Sequence, residues 1–334
     1  MKIGKDLIDN KTAWRNPPKD LFIRDLTGEE LAALDQALHA TIDKPKLSIT
    51  REEFDHPVIR ELARKIMVDL REGPGATILR GLDAKVYDAE AIERIYWGLG
   101  MHLGKPSWQN DLGDLMGYVE EEPDPENPYD SRTKGRGYRS SHEAGYHTDT
   151  DEVVGLACVR RAEQGGTSVI ASIPTIYNEF VKKRPDILPA LFEGYYATVG
   201  QDEVMSDQKM VIFAEVDGQL LCELQDSGMR KAAEKRGEKL PEDLVEALSF
   251  LRDTAEETRA EFLLEDGEIL LWNNRTVIHG RRGFQNSPER RRLLLRLWLA
   301  PEDTPPVPDT FPEVMRKRLR REKIERQLAS GVPG

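Results

Sequence analysis

Apolar residues after Thr27-Gly-Glu-Glu30 recur three and four positions apart, at Leu31, Ala32, Leu34, Ala37 and Leu38. With the Thr-x-x-Glu capping box this spacing predicts a helix over about 28 to 41. Val58, Leu62, Ile66, Met67 and Leu70 repeat the pattern and predict a second helix from His56 to Arg71, ended by Gly73-Pro-Gly75. The run Ala76-Thr-Ile-Leu79 then reads as a strand, and Asp88 caps a third helix that runs to about Leu103.

Beyond Lys105 the periodicity stops. The stretch to Gly145 is rich in Gly, Pro and acid, and a loop of that length predicts a functional segment, placed here as a lid over 111–145. Short strands follow: Val153 to Val159, Ser168 to Ser172, Gly194 to Val199, Met210 to Glu215, Gln219 to Leu224, Glu268 to Trp272 and Arg292 to Ala300. A charged amphipathic helix from about Pro241 to Phe262 interrupts them, within a helical insertion over 228–261. The tail beyond Ala300 is Pro-rich and then basic. Helices around many short strands predict an α+β fold, a double-stranded β-helix (a jelly roll of cupin type) with flanking helices, in one domain over 1–334.

Charge narrows the partners. Lys and Arg number 48 against 60 Asp and Glu, a net of −12, which argues against a nucleic-acid surface. The first ten residues lack the apolar core of a signal peptide, and nowhere do 18 apolar residues run together. A cytoplasmic protein with no membrane partner is the expectation, and a homo-oligomer stays open. Cys158 and Cys222 sit in apolar strand-like runs and read as buried, inert thiols.

The candidate chemistry centres on Tyr146-His147-Thr148-Asp149. His and Asp at i and i+2 of an extended segment point the same way and can grip one metal ion. A site of two histidines and one carboxylate leaves positions open for a cosubstrate and O2. His39, His56 and His102 fall on predicted helices, whereas His279 follows an apolar run and precedes an Arg-rich strand. Between them lies Gly165-Gly-Thr-Ser168, and beyond them Arg292-Leu-Leu-Leu-Arg296. Strand alternation sets Arg292, Leu294 and Arg296 on one face and Leu293, Leu295 and Leu297 on the other, the all-Leu face packing under helices. Asn110 with Gln109, His142 and Arg281 are further candidates for contact with substrate. Their plain alternatives are a turn, a loop histidine and an ion pair with an acid.

In that order these motifs resemble the taurine dioxygenase/TfdA family of 2-oxoglutarate-dependent oxygenases, which includes clavaminate synthase. The likeness runs from Arg80-Gly-Leu82 through His147-Thr-Asp149, Gly165 to Ser172 and Asn273-Asn-Arg-Thr-Val-Ile-His279-Gly-Arg281 to Leu299. It implies that His147, Asp149 and His279 hold Fe(II), the catalytic metal. It also implies that a hydroxyl after the Gly pair, Ser168 or the adjacent Thr167, and an Arg of the run 290–292, chosen as Arg292, hold the far carboxylate of 2-oxoglutarate. The implied reaction uses O2, releases succinate and CO2, and oxidises a C–H bond of a small molecule, an amino acid or biosynthetic intermediate. Hydroxylation leads over desaturation, epoxidation and ring closure. Arg296 is then expected to meet an anionic group of that substrate. Two rival readings remain: a redox-neutral cupin-like isomerase or hydrolase on zinc or manganese, and a binding protein with a vestigial metal site.

Overall fold

The computed structural model describes residues 6–121 and 140–330. Its helices are α1 (Gly28–Ala40), α2 (Pro57–Arg71), α3 (Ala89–Leu103), α4 (Ile173–Lys183), α5 (Leu188–Glu193), α6 (Asp226–Arg236), α7 (Glu242–Thr258) and α8 (Pro312–Ser330). The capping box forms as read: the Glu30 amide donates to Thr27 Oγ1 at 3.1 Å and the Thr27 amide to Glu30 Oε2 at 2.9 Å. Asp88 caps α3 through the Ala91 amide at 2.9 Å.

Two sheets form the centre. A seven-stranded sheet pairs Ile23–Asp25, Ala76–Arg80, Ile269–Asn273, Val153–Arg160, Leu293–Ala300 and Lys105–Pro106 in that order, with Gly117–Val119 also on Leu293–Ala300. A four-stranded sheet runs Ala260–Phe262, Ser168–Ser172, Val277–Arg281, Ala144–His147. Side-chain alternation sorts both into layers. Leu295, Leu297 and Leu299 pack outward with α1, α2 and α3, as the all-Leu face predicts. Ala171 and Ile278 pack outward on the smaller sheet under α4 to α7. The inward residues Val154, Cys158, Leu294 and Trp298 meet Ile170, Val277 and Phe262 in a third apolar cluster between the sheets. Polar residues that share this inward parity are thereby delivered into the interior.

Several sequence expectations shift. The helix expected over 241–262 ends at Thr258, and Ala260–Phe262 is a strand on Ser168–Ile170, too short to register against the charged pattern before it. Only Thr198–Val199 of the strand expected over 194–199 forms, and Tyr195 makes an isolated antiparallel bridge to Met210. His279 precedes the Arg-rich strand as expected and itself lies inside a further strand, Val277–Arg281, that was not expected. The helix α4 and the long helix α8 were not expected. Of the lid expected over 111–145, residues 122–139 lie outside the described residues, and the described flanks supply the strands Gly117–Val119 and Ala144–His147. No helix among the described residues is long and apolar enough to cross a membrane. Both cysteines are buried and free, and burial pushes the Cys158 thiol up to about 12.

The helix α8 is anchored by charge. Glu313 receives two hydrogen bonds from the buried Arg275 guanidinium at 2.7 and 2.8 Å, and its amide donates to the fully buried Glu223 at 3.1 Å. Burial, opposed by the Arg316 charge and reinforced by Glu313, raises the Glu223 carboxyl to about 7. Replacing Arg275 by Met would leave these two acids buried beside each other. Breaking a buried pair costs about 3–5 kcal/mol, so Arg275→Met should lower the urea unfolding midpoint, followed by tryptophan fluorescence, by that equivalent. A loss below about 1 kcal/mol would show that α8 is held by other contacts.

Candidate metal centre and the two cavities that meet at it

The antiparallel ladder between Ala144–His147 and Val277–Arg281 sets His147 directly opposite His279. Their rings lie 4.2 Å apart, centroid to centroid. Asp149, two residues on, brings its carboxylate to 3.5 Å from His279 Nε2, and donor atoms of His147, Asp149 and His279 all lie within 4.8 Å of one another. His147 Nδ1 donates to the Gly145 carbonyl at 2.8 Å, which leaves Nε2 as the lone-pair nitrogen. The His279 ring is braced by Trp272 at 4.5 Å.

Asn274 clasps the loop that carries Asp149. Its Oδ1 accepts from the Asp149 amide at 3.0 Å and its Nδ2 donates to the Asp151 carbonyl at 3.0 Å. Gln225 Nε2 adds a hydrogen bond to the Thr148 carbonyl. Burial, and then the neighbouring His279, depresses His147 to about 4, so its imidazole is neutral near pH 7. Burial raises the Asp149 carboxyl, but the Arg296 guanidinium and His279 outweigh it and hold the group well below the usual carboxylate range. A neutral imidazole and an ionised carboxylate are the protonation states a metal requires of its ligands.

Two cavities meet here, and His147, Asp149 and Arg296 line both. The smaller, about 450 Å3, also contains Ser168, Arg281, Arg292 and His279. Arg292 is buried, its amide donates to Asn286 Oδ1 at 2.8 Å, and its Nη1 has no hydrogen-bond partner among the described residues. Burial, and then the Arg281 charge, pushes it down to about 9. Arg281 is likewise depressed by burial, to about 10, and its Nη2 donates to the Ser140 carbonyl at 2.6 Å and to that of His142. Both guanidiniums lie against Phe284, at 4.7 and 5.0 Å from the ring centroid. The Gly pair explains how the backbone passes so close. At Gly165 (φ +73°) a Cβ would sit 2.4 Å from the Gly283 carbonyl, and at Gly166 (φ +79°) it would sit 3.2 Å from Arg292 Nε.

The larger cavity, about 840 Å3, is lined by Gln109, Asn110, Trp298, Arg316, Arg320 and Lys231 among others. Arg296 borders it: Nη1 lies 3.4 Å from both Asp149 oxygens, Nε donates to Gln109 Oε1 at 3.0 Å, and the guanidinium stacks on Trp298 at 4.3 Å.

The sequence candidates separate accordingly. His147, Asp149, His279, Ser168, Arg281, Arg292 and Arg296 are brought together. Thr167 is not among the cavity residues, since strand parity points Ser168 and Ile170 inward. The His142 ring is exposed, and only its carbonyl serves the site, through Arg281. Asn110 lines the larger cavity while its Oδ1 closes a turn on the Leu112 amide at 2.9 Å. Arg290 grips Asp266 at 2.7 and 2.9 Å. Missed were Asn274 and Trp298, both inside quoted motifs, and Arg316 and Arg320, whose four-residue spacing in the basic tail was the available signal.

Two facing sheets that converge two imidazoles and one carboxylate on an open point define a mononuclear metalloenzyme of the two-histidine, one-carboxylate type. The chain belongs to the taurine catabolism dioxygenase TauD, TfdA family, whose model matches residues 30–298. It is 26% identical to FR-33289 synthase of Streptomyces rubellomurinus over 73% of this chain and 74% of that protein. It is 27% identical to the taurine hydroxylase-like protein SAT17 of Stachybotrys chartarum over 87% of this chain and 79% of that one. The fold is shared with an asparagine oxygenase crystallised with Fe(II), 3-hydroxyasparagine and succinate, at TM-score 0.64 and 17% identity, covering 84% and 94% of the chains. It is shared too with the non-haem iron oxygenase OrfP crystallised with Fe and alpha-ketoglutaric acid, at TM-score 0.62 and 16% identity, covering 83% and 94%.

Removing one ligand of three should weaken metal binding severely. His147→Ala, Asp149→Ala and His279→Ala are each expected to lose bound Fe(II), measured anaerobically by metal analysis after desalting, with an unchanged circular dichroism spectrum. Full metal content in any one variant would remove that residue from the ligand set.

Proposed function

We propose that the protein is an Fe(II)- and 2-oxoglutarate-dependent dioxygenase that hydroxylates an unactivated C–H bond of a small anionic molecule. One observation carries this reading: the buried Arg292, whose Nη1 has no hydrogen-bond partner among the described residues, lines a cavity that ends on His147, Asp149 and His279. A buried guanidinium without an anion is costly, and a carboxylate is its natural complement. A five-carbon diacid with one end at the metal and the other at Arg292 and Ser168 fits a cavity of about 450 Å3. The sandwich is then a jelly roll with its site between the sheets, in one catalytic domain.

Bound Fe(II) supplies the redox chemistry, in which 2-oxoglutarate and O2 yield succinate, CO2 and one oxygen atom for the substrate C–H bond. The chain's own work is placement. His147, Asp149 and His279 would hold the metal from one side, with Asn274 fixing the carboxylate's loop. Arg292 and Ser168 would clamp the cosubstrate, and Arg281 would tie the loop at Ser140 and His142 over it. Leu156 and Trp272 give the smaller cavity apolar walls. Arg296 would orient Asp149 and, at the border of both cavities, face the substrate's anionic side.

Substrate enters by the larger cavity, which reaches the same His147 and Asp149. Similar proteins carry names that point to amino acids and to a nucleotide: the asparagine oxygenase, OrfP with hydroxyarginine, and a uridine-5'-phosphate dioxygenase of Streptomyces sp., 26% identical over 48% of this chain and 62% of that protein. A redox-neutral metalloenzyme has no use for the unpaired Arg292.

Incubated with Fe(II), O2 and 2-oxoglutarate, the protein should release succinate, measured by liquid chromatography and mass spectrometry, above a metal-free control. Truncating a buried charged partner costs about 2–5 kcal/mol, so Arg292→Ala should raise the KM for 2-oxoglutarate at least about 30-fold. Ser168→Ala removes a single hydrogen bond and should raise it about 3- to 10-fold. Absence of succinate, or an unaltered KM in Arg292→Ala, would defeat the reading.

A further inference from the structure

The family match stops at residue 298, and α8 lies beyond it. Two side chains from α8, Arg316 and Arg320, line the larger cavity. Four residues apart, they share one helix face. Arg316 Nη1 donates to Thr150 Oγ1 at 3.2 Å, next to Asp149 in the chain. Arg320 lies 5.6 Å from the Trp298 ring, on which Arg296 also stacks. Three guanidiniums thus gather along one wall.

Each of these two α8 arginines also has one acidic partner. Arg316 meets Glu223 through one contact of 3.2 Å and Arg320 meets Asp111 through one of 3.4 Å, whereas Arg275 and Glu313 nearby are bidentate at 2.7 and 2.8 Å. Arg320 also donates to the Trp108 carbonyl. Burial, and then the charges of Arg316 and Arg296, destabilise the Arg320 cation, while Asp111 opposes them. Asp111, Asp149 and Glu203 line the same cavity, so an entering anion is favoured where it reaches more than one guanidinium at once.

We propose that Arg316 and Arg320 form the substrate-recognition subsite of the larger cavity and bind a tetrahedral dianion, the phosphate or phosphonate group of the molecule to be oxidised. A planar carboxylate satisfies one guanidinium fork, whereas three oxygens on one centre accept from two forks at once and match more of the charge. The cavity, at about 840 Å3, leaves room for an organic body between this group and the metal centre. The location of the subsite rests on the dioxygenase reading above.

Calorimetric titration of the full chain with inorganic phosphate, at ionic strength held constant with chloride, tests the proposal. Phenyl phosphate against phenylphosphonate separates ester from phosphonate, and acetate serves as the planar anion. Phosphate should bind the unaltered protein, acetate at least about tenfold more weakly, and R320Q should weaken phosphate at least about tenfold. Arg316 is paired with the fully buried Glu223, so R316Q is the secondary variant and R320Q, whose acidic partner Asp111 lines the cavity and is partly exposed, the primary one. R318Q removes the same charge from the exposed side of α8 and should leave phosphate affinity as it is. Equal losses in R318Q and R320Q, equal affinity for acetate, or no binding by any of the phosphorus oxyanions overturns the proposal. Anaerobic titration of the same preparations with Fe(II) and 2-oxoglutarate reads the smaller cavity. Failure there defeats the dioxygenase reading, whereas success there beside a failed phosphate titration defeats only this inference.

Discussion

Registration of His147 opposite His279 across one antiparallel ladder is the constraint on which the rest of the site depends. A one-residue slip would turn every inward side chain of Val277–Arg281 outward. The slip is opposed on three sides. Val277 is committed to the apolar layer between the sheets, Ile278 to the layer beneath the helices, and Arg281 to the carbonyls of Ser140 and His142. The same strand pairs on its other edge with Ser168–Ser172, so one register places His279, Arg281 and Ser168 together.

Around that ladder the interior charges are distributed unequally. Among the described residues Asp149 is the single acid shared by the two cavities and is matched by Arg296, while Arg281 and Arg292 lie in the smaller cavity against the Phe284 ring, with the Glu121 charge favouring the Arg281 cation. Folding alone does not favour such an arrangement, because a buried cation without an anion loses hydration and gains little in return. It is favoured once an anion is part of the complex, the part that the proposed cosubstrate carboxylate would play.

Much of this centre was legible in the sequence because it is written in strand parity. The i and i+2 spacing of His147 and Asp149 survives as geometry, and the alternation through Arg292 to Leu299 separates outward leucines from the inward Arg296 and Trp298. Parity likewise distinguishes Ser168 from Thr167 once the strand start is known. What escaped was held by partners distant in sequence. Asn274 acts on Asp149 and Asp151 through its amide, a role that no periodicity announces. The helix α8 carries few apolar residues and docks largely through Glu313, Arg316 and Lys317 onto buried acids and Arg275, so it read as a basic tail. The strand Ala260–Phe262 was absorbed into the preceding helix because three residues are too few to reset the pattern.

The salt-bridged seating of α8 separates inheritance from preference in this molecule. The strands that carry the ligand set lie within the stretch shared with the family, while one wall of the larger cavity is supplied by a helix outside it. Arg320, which lines that wall one turn beyond Arg316, makes no contact with the His147–His279 ladder. Changes near Glu313 would reach the fold itself. The anchoring Glu313 and the cavity-lining Arg316 and Arg320 thus occupy successive turns of one helix, so a change at the second of these arginines lies farthest from the anchor while still reaching the cavity.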